Sequence, residues 1–406
     1  MKEKLTLIVM ALVMVLAAST FVQAEKIELT LLGMPHANNP EWNEAGIAAW
    51  KEANPQYAHV EVSLVNAFAA QLDVMTAGGT PPDIVHQSSS NIPGMVYKGH
   101  LMDLGDFIKK DSSFNLASYV PSALEAGRYK NVQYGLPRAW SAVGVMYNKE
   151  LLETRGLAVP PNDWTWNDLL NTARKATFDS DGDNLPNTYG FGDQYTSHHR
   201  WPIWVWNTGG DLLNEALNVA TLTDPKTVDG VSFHTSLYTE YGVAPRIVDN
   251  VLVGSSLTSS ASGASIPRDL FHRGYMAFFQ GSRFDRPTTD RFVYGVLPLP
   301  KGPGGDTSVM VMDFYAIHSS CKHPEIAWSL VKFLTSTEGY AVAQSPDKTY
   351  YWALSPHIRQ VQQTLIPAPE EQALNWIKVA ENARRPASVH PAIGIIGLDF
   401  NSVFKG

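Results

Sequence analysis

Two short stretches of this 406-residue chain carry residue types and spacings suited to chemistry. The first is DSDGDNLPNTYG at 179–190. It sets Asp179, Asp181, Asp183, the Leu185 carbonyl and Asn187 at the first, third, fifth, seventh and ninth places of a calcium loop. Asn184 stands at the sixth place, where glycine is usual, and asparagine tolerates the left-handed conformation needed there. Gly190 replaces the bidentate glutamate of the twelfth place. The stretch is therefore either a loop for one structural calcium or a solvated acidic turn.

The second stretch, RWPIWVWNTGGD at 200–211, packs Trp201, Trp204 and Trp206 into six positions. Indole rings give large flat apolar areas at low conformational cost. Such areas suit the C–H faces of a sugar ring, whose hydroxyl rim pairs with Arg, Asp, Asn and Gln. Residues two apart on a helix do not share a face. The three rings therefore cannot all serve one ligand, and the competing reading is packing for every one of them.

Motifs for bond-making chemistry are missing from the sequence. It has no GxSxG elbow, no HExxH zinc helix and no GxxxxGK[ST] phosphate loop. A glycosidase needs two carboxylates about 5 to 10 Å apart across the scissile bond. The densest acidic cluster, 179–183, suits a cation better than proton transfer. A secreted glycosidase or lyase is the enzyme alternative, and capture without chemistry is the main reading: not an enzyme, and no cofactor required beyond the structural calcium weighed above.

Composition sets further bounds. Charged residues are 17% of the chain and aromatics 11%, with a net charge of −8. A mildly acidic surface argues against nucleic acid, which demands a basic footprint. Cys321 is the only cysteine, so no intramolecular disulfide can form. At the amino end, Lys2 and Lys4 precede the apolar run LTLIVMALVMVLAAS and the small-residue site Val22-Gln23-Ala24. This predicts a signal peptide over 1–24 and a soluble, exported mature chain beginning near Glu25. No cysteine lies near the cleavage point, so no lipid anchor is expected.

The elements that must position these residues follow from hydrophobic periodicity. KIELTLLGM predicts a strand, and PEWNEAGIAAWKEA a helix capped by Asn39 with Pro40 first. HVEVSLV predicts a second strand and FAAQLDVMTAGG a helix stopped by Gly78-Gly79. PPDIVHQSSS is a short buried strand running into a polar loop. Strand–helix alternation of this kind predicts a largely parallel sheet in an α/β fold, with two domains at this length. Further on, GLPRAWSAVGVMYN reads as extended, and Thr165 to Asp168 as a capping box for a helix through Ala176. The serine tract 254–265 has too few apolar groups to pack and predicts a mobile surface loop. The Pro/Gly-rich 293–306 predicts a connection, and HPEIAWSLVKFLTSTEGY one amphipathic helix.

Four stretches in register resemble the family 1 extracellular solute-binding proteins of ABC importers, the group that includes the maltodextrin-binding proteins. They are GGTPPDIVHQ (78–87), LPRAWSAVGVMYNKELL (136–152), GYMAFFQGSR (274–283) and AIHSSCKHPEIAWSLVKFLTSTEGY (316–340). The resemblance covers nearly the whole mature chain. It implies the two-lobe type II periplasmic-binding-protein fold, with an interlobe cleft and a hinge crossed several times. The implied lobes are 25–140 with 311–345, and 141–310 with 346–406. Family members commonly continue for another helix beyond NSVFKG, so the resemblance implies a second lobe that is either trimmed or ends in an unusually short helix.

The resemblance also implies binding residues. His36 lies in the loop after the first strand and Gln87 at the end of the buried strand; their alternatives are a solvated loop histidine and a turn-stabilising amide. Arg138 and Trp140 fall where the chain first crosses between lobes, with a core tryptophan as the alternative for Trp140. His198 and Trp201 match the segment that touches sugar in the maltodextrin relatives. Arg283 stands where relatives often carry a stacking tryptophan. Asp313 and Phe314 sit at the return crossing, where glycines are usual, and Arg385 lies near the last ligand-lining segment. Each arginine is otherwise a surface or hinge ion pair. Convergent arginines would favour an acidic or strongly polar ligand, such as a uronate or phosphorylated sugar, unless Asp313 and other carboxylates neutralise them. The expected partners are a carbohydrate and the subunits of a membrane permease powered by a separate ATPase, with the chain itself a periplasmic monomer. A binding protein for another polar solute keeps the fold and changes the cargo.

Overall fold

The structure, a computed structural model, describes residues 26–34, 39–195, 197, 200–216, 218–261, 263–287, 291–343, 354–357 and 371–384. The leader, His36, His198, Arg385 and the NSVFKG end lie outside these residues. Strand β1 (Glu28–Gly33), helix α1 (Asn39–Ala53), β2 (Glu61–Asn66), α2 (Ala70–Ala77) and β3 (Ile84–Ser88) follow the alternation in the sequence. The left-handed Gly79 (φ 75°) ends the turn after α2. β1 pairs in parallel with both β2 and β3.

The next long strand, β4 (Leu136–Asn148), is buried at all 13 positions. Both of its faces are covered, which explains a mostly apolar stretch without strict alternation. Beyond it come α3 (Trp166–Ala176), β5 (Tyr189–Asp193), α4 (Pro202–Trp206), α5 (Pro225–Thr239), β6 (Met276–Ser282), β7 (Tyr294–Leu297) and β8 (Ser308–Ile317). Helices α6 (Pro324–Leu334) and α7 (Thr337–Ala343) and the short strand β9 (Ala383–Arg384) complete the order used below. Among the described residues these nine strands form one sheet, β2-β1-β3-β8-β4-β6-β5, with β7 on β4 and β9 on β8.

The sheet is mixed rather than largely parallel. Among the described residues β1–β3, the β5/β6 pair and the short β8/β9 pair run parallel, while β8, β6 and β7 are antiparallel to β4 and β3 is antiparallel to β8. The reason lies in β4, which the chain uses twice. Its residues 136–142 pair with β8 and its residues 143–148 with β6 and β7. The chain therefore passes from one half of the molecule to the other inside a single strand. β8 makes the return passage: Ser308 and Val309 pair with β9, and Asp313 to Ile317 with β3.

Local chemistry fixes the elements. Thr165 and Asp168 form the predicted capping box on α3. The predicted 323–340 helix is broken into α6 and α7 at Thr335-Ser336. There a Cβ on Gly339 would lie 2.1 Å from the Phe333 carbonyl, so only glycine permits the close return. Two further expectations are amended. The 293–306 segment is not merely a connection, because its VYGVL part pairs with β4 as β7. The serine tract is not free of the fold: Ser255 donates to the Pro186 carbonyl (2.7 Å) and Ser259 to Asp269 (2.7 Å). Hydroxyls there supply the anchoring that apolar groups do not.

One hydrophobic cluster covers the outer face of the first half, with Leu29, Leu31, Trp50, Tyr315, Trp328 and Leu330 fully or nearly fully buried. A larger one runs along β4 into the second half, through Trp140, Met146, Phe191, Trp204, Phe278 and Met312. No helix among the described residues is long and apolar enough to cross a membrane.

Candidate functional site

In open α/β sheets, ligands bind outside the carboxyl ends of the strands, where connections diverge. Here two sets of carboxyl ends meet on one short stretch of β4. In the first half, Ser88 at the end of β3 faces Asp313, and Asp313 faces Ala139. In the second half, Ser282 at the end of β6 pairs with Val143, and the next backbone N–H, from Arg283, donates to Ser141 Oγ at 2.8 Å. Residues 138–143 thus lie between the two walls.

Arg138 owes its position to a bulge. Asp313 pairs with Ala139 but Phe314 pairs with Pro137, so Arg138 has no partner residue across the ladder. Such an extra residue re-aims a side chain out of strict alternation. The guanidinium carbon lies 3.3 Å from the centre of the Trp42 ring, an intimate cation–π stack. Nη1 donates to His86 Nε2 at 2.7 Å and lies 3.5 Å from Asp313 Oδ2. A guanidinium only donates, so His86 presents its Nε2 lone pair there. Asn43 approaches His86 Nδ1 at 3.5 Å and accepts from the Tyr315 hydroxyl. Burial pushes that phenol up to about 12.

The other anticipated residues divide into two groups. Asp313 keeps 18% side-chain exposure and is the accessible member of the Arg138 pair. Arg283 is buried at the start of a short turn in which Ser282 and Asp285 cap one another. Trp201 is buried with Val205 and Leu212. Gln87, also buried, spends its Nε2 on the Ala67 carbonyl at 3.1 Å, which is the turn-stabilising alternative. Trp140 is 1% exposed, and its indole N–H donates to the Ser355 carbonyl at 2.7 Å. Its backbone also bridges Leu354 in both directions, so this side chain sits in core packing where a third chain segment meets β4. Phe314 is fully buried, and a Cβ on Gly135 would lie 2.5 Å from its ring.

The other two tryptophans of 200–211 have different surroundings. Trp204 lies in the core, stacked on His234 at 5.3 Å and tilted against Trp166 at 5.5 Å. Trp206 bonds Asp211 through its indole N–H (3.0 Å) and carries the Arg384 guanidinium at 5.2 Å, beside an open depression near Lys226.

Four residues of the site escaped the sequence reading. Trp42 falls within the first predicted helix and His86 within the short buried strand, where neither carries a signal of its own. Arg200 and Gln280 form part of the second wall: Gln280 Nε2 donates to the Arg200 carbonyl (3.2 Å), and Arg200 Nη2 bonds Asp285 at 2.6 Å. Arg200 directly precedes Trp201 in the quoted stretch, and this adjacency was the available signal.

The acidic turn fits a cation in part. Carboxylate oxygens of Asp179, Asp181 and Asp183 come within 4.8 Å of one another. The loop also satisfies itself. Asp179 accepts from the amides of Asp181, Gly182 and Asn184, and Asp183 from Leu185. The Gly182 amide foremost holds the Asp179 carboxyl below its ordinary range. Asn184 is left-handed (φ 67°), as its place requires. Asn187 Oδ1, the ninth-place oxygen, is already taken by the Ser180 amide at 3.1 Å.

Comparison with known proteins decides the family. Residues 36–341 match the family described as bacterial extracellular solute-binding protein. The chain belongs to this family. An uncharacterised lipoprotein of Streptomyces antibioticus is 25% identical over 321 residues, 72% of this chain; the chain spans 64% of that relative's length. Among solved structures, an ABC substrate-binding protein of Listeria monocytogenes in complex with cycloalternan is 22% identical. It has a TM-score of 0.77 over 94% of this chain and 93% of its own. The sugar-binding protein MalE of the phytopathogen Xanthomonas citri is 16% identical, with a TM-score of 0.74 over 93% and 91%. These likenesses establish the two-lobe fold that the sequence resemblance implied. In that fold β4 and β8 are strands that pass between the halves.

Proposed function

We propose that this family member is the periplasmic substrate-binding component of an ABC importer. It captures a carbohydrate between its two halves and hands it unaltered to a membrane permease driven by a separate ATPase. The observation that carries this reading is the meeting of both sets of strand ends on residues 138–143, beside Trp42, Arg138, Arg283 and Asp313. Flat rings with fork-shaped donors are the complement of a sugar's C–H faces and hydroxyl rim. The carbohydrate complexes and names of the solved neighbours support the same cargo class.

Binding acts through population shift. A ligand touching both walls binds the closed arrangement better than the open one, and so favours it. β4 and β8 are the natural pivots. Parting of the halves about them would uncover Arg138, Arg283 and Trp201, while Trp140 and Phe314 pack the pivot itself. We therefore assign Asp313, Arg138, Arg283 and Trp201 as ligand contacts, and Gln87 to the turn beneath them. Micromolar affinity corresponds to about −8 kcal/mol, within reach of a few stacked rings and charge-assisted hydrogen bonds. Export through the 1–24 leader and work as a monomer belong to this reading. So does a structural calcium at 179–183, held by Asp179, Asp181, Asp183 and the Leu185 carbonyl.

A thermal-shift screen of the mature chain across neutral sugars, uronates, polyols and sugar phosphates tests the proposal. Stabilisation by a saccharide that is recovered intact is expected. Shortening of an oligosaccharide during incubation would point to the glycosidase or lyase alternative, and no response to any saccharide would remove carbohydrate as the cargo.

A further inference from the structure

The second wall contains polar atoms that the protein itself does not satisfy. Arg200 is 4% exposed and Gln280 fully buried. Of the three guanidinium nitrogens of Arg200, Nη2 is bonded to Asp285 Oδ2 at 2.6 Å. Nε and Nη1 are buried and have no hydrogen-bond partner among the described residues. The side-chain oxygen of Gln280 is in the same condition, its Nε2 being committed to the Arg200 carbonyl. Buried donors and acceptors are almost always paired, and an orphaned group calls for a reason. Here two donors of a permanent cation and one acceptor are orphaned together, in side chains joined by a hydrogen bond. They lie beside the turn that follows β6, at the carboxyl end where the site was placed.

The local charge says which group would complete them. Asp285 is the carboxylate bonded to Arg200. Its Oδ2 already accepts from the Ser282 amide (2.9 Å), the Ser282 hydroxyl (3.0 Å) and Arg200, while its Oδ1 faces Arg268 at 3.6 Å. One carboxylate thus serves two guanidinium groups, while Asp193, which pairs with Gln280 across β5 and β6, is occupied by His234 and Tyr238. A ligand carboxylate accepts from a guanidinium with charge assistance that a neutral hydroxyl lacks. An adjacent ring hydroxyl can donate to Gln280 Oε1.

We propose that the wall formed by Arg200 and Gln280 selects an acidic saccharide, a uronate unit of an oligosaccharide, over its neutral counterpart. This rests on the carbohydrate reading above. Arg200 is then the specificity-determining residue, and Gln280 fixes which ring hydroxyl stands beside the carboxylate.

The test is calorimetric titration of the mature chain with di- and trigalacturonate, di- and triglucuronate, the matching neutral galacto- and gluco-oligosaccharides, and the corresponding sugar phosphates. At least one uronate should bind tenfold or more tightly than its neutral counterpart at low salt, with an advantage that shrinks as salt rises. Arg200→Met should bring that ratio to about one, and Arg200→Lys should retain part of it. Far-ultraviolet dichroism and the ligand-free melting point check that each variant folds. If Arg200→Met fails to fold, the wild-type ratio and its salt dependence decide. Equal or tighter binding of the neutral saccharide would overturn the acid preference and leave carbohydrate capture standing. Tighter binding of the phosphate would overturn the uronate assignment. Absence of binding by every saccharide would remove this inference together with the reading beneath it.

Discussion

On the first-half wall Arg138 is engaged from three sides, by the Trp42 ring, His86 and Asp313. On the second-half wall Arg200 is tied at one nitrogen to Asp285 and keeps two buried donors unspent. Arg138 lies on β4 and Arg200 just before α4, bonded into the turn after β6, and both are nearly buried. The difference teaches that burial alone does not identify a binding group. Both guanidiniums hydrogen-bond through a single nitrogen, but that of Arg138 is shared between His86 and Asp313 under a stacked indole, whereas that of Arg200 meets one carboxylate among the described residues. The acidic turn at 179–187 makes the same point from the exposed side, because its carboxylates are largely consumed by their own amides.

The largest expected effect lies at the pivot. Trp140→Ala would leave a cavity in the core and orphan the Ser355 carbonyl. It should cost about 4 kcal/mol, read as a fall in urea midpoint. Loss of sugar response with unchanged stability would instead make Trp140 a ligand platform. Next comes the direct contrast between the walls. Arg138→Met strands Asp313 beside an apolar group and should cost about 3 kcal/mol. Arg200→Met should cost about 1 kcal/mol, because Asp285 keeps Ser282 and Arg268. Equal losses in paired denaturation curves would erase the distinction drawn here.

A pH titration should show a smaller effect. Burial foremost lowers the affinity of His272, His318 and His357 for protons. His272 Nε2 lies 2.8 Å from the Asp285 carbonyl and His357 Nε2 2.8 Å from that of Thr335, contacts that the neutral rings make as donors. The unfolded chain then binds more protons than the folded one as pH falls through the ordinary histidine range. Stability should therefore be intact above about pH 7 and decline toward pH 5. A melting point that holds or rises over that window would contradict the assignment. The smallest effect is expected at the turn, where Asp179→Asn should barely move the melting point of the calcium-free protein. It should abolish any stabilisation by millimolar calcium that a chelator reverses. If calcium never stabilises the wild type, the solvated-turn reading holds.

Much of the fold was legible because it is local. The segment GLPRAWSAVGVMYN reads as extended from its sequence, and α3 is marked by its capping box. The halves' strand ends were not legible as neighbours. Arg138 and Asp313 are 175 positions apart, and the bulge that turns Arg138 onto Trp42 depends on the register of β8 against β4. VYGVL failed for a related reason: its strand character comes from a partner, β4, rather than from its own Pro/Gly-rich flanks. Of the three tryptophans in 200–211, periodicity correctly forbade a shared face but could not say which ring entered the core. Arg200 went unnoticed because an arginine beside a conspicuous indole carries no pattern of its own. Only the surrounding hydrogen bonds show that its donors are spare.

Hydrogen–deuterium exchange of the mature chain, with and without a saccharide that stabilises it, tests the central claim most directly. The account predicts new protection at 86–91 and at 280–287 together, one stretch from each wall, rising with the same ligand concentration. Protection confined to one wall, or centred on the outer depression at 206–226, would contradict it.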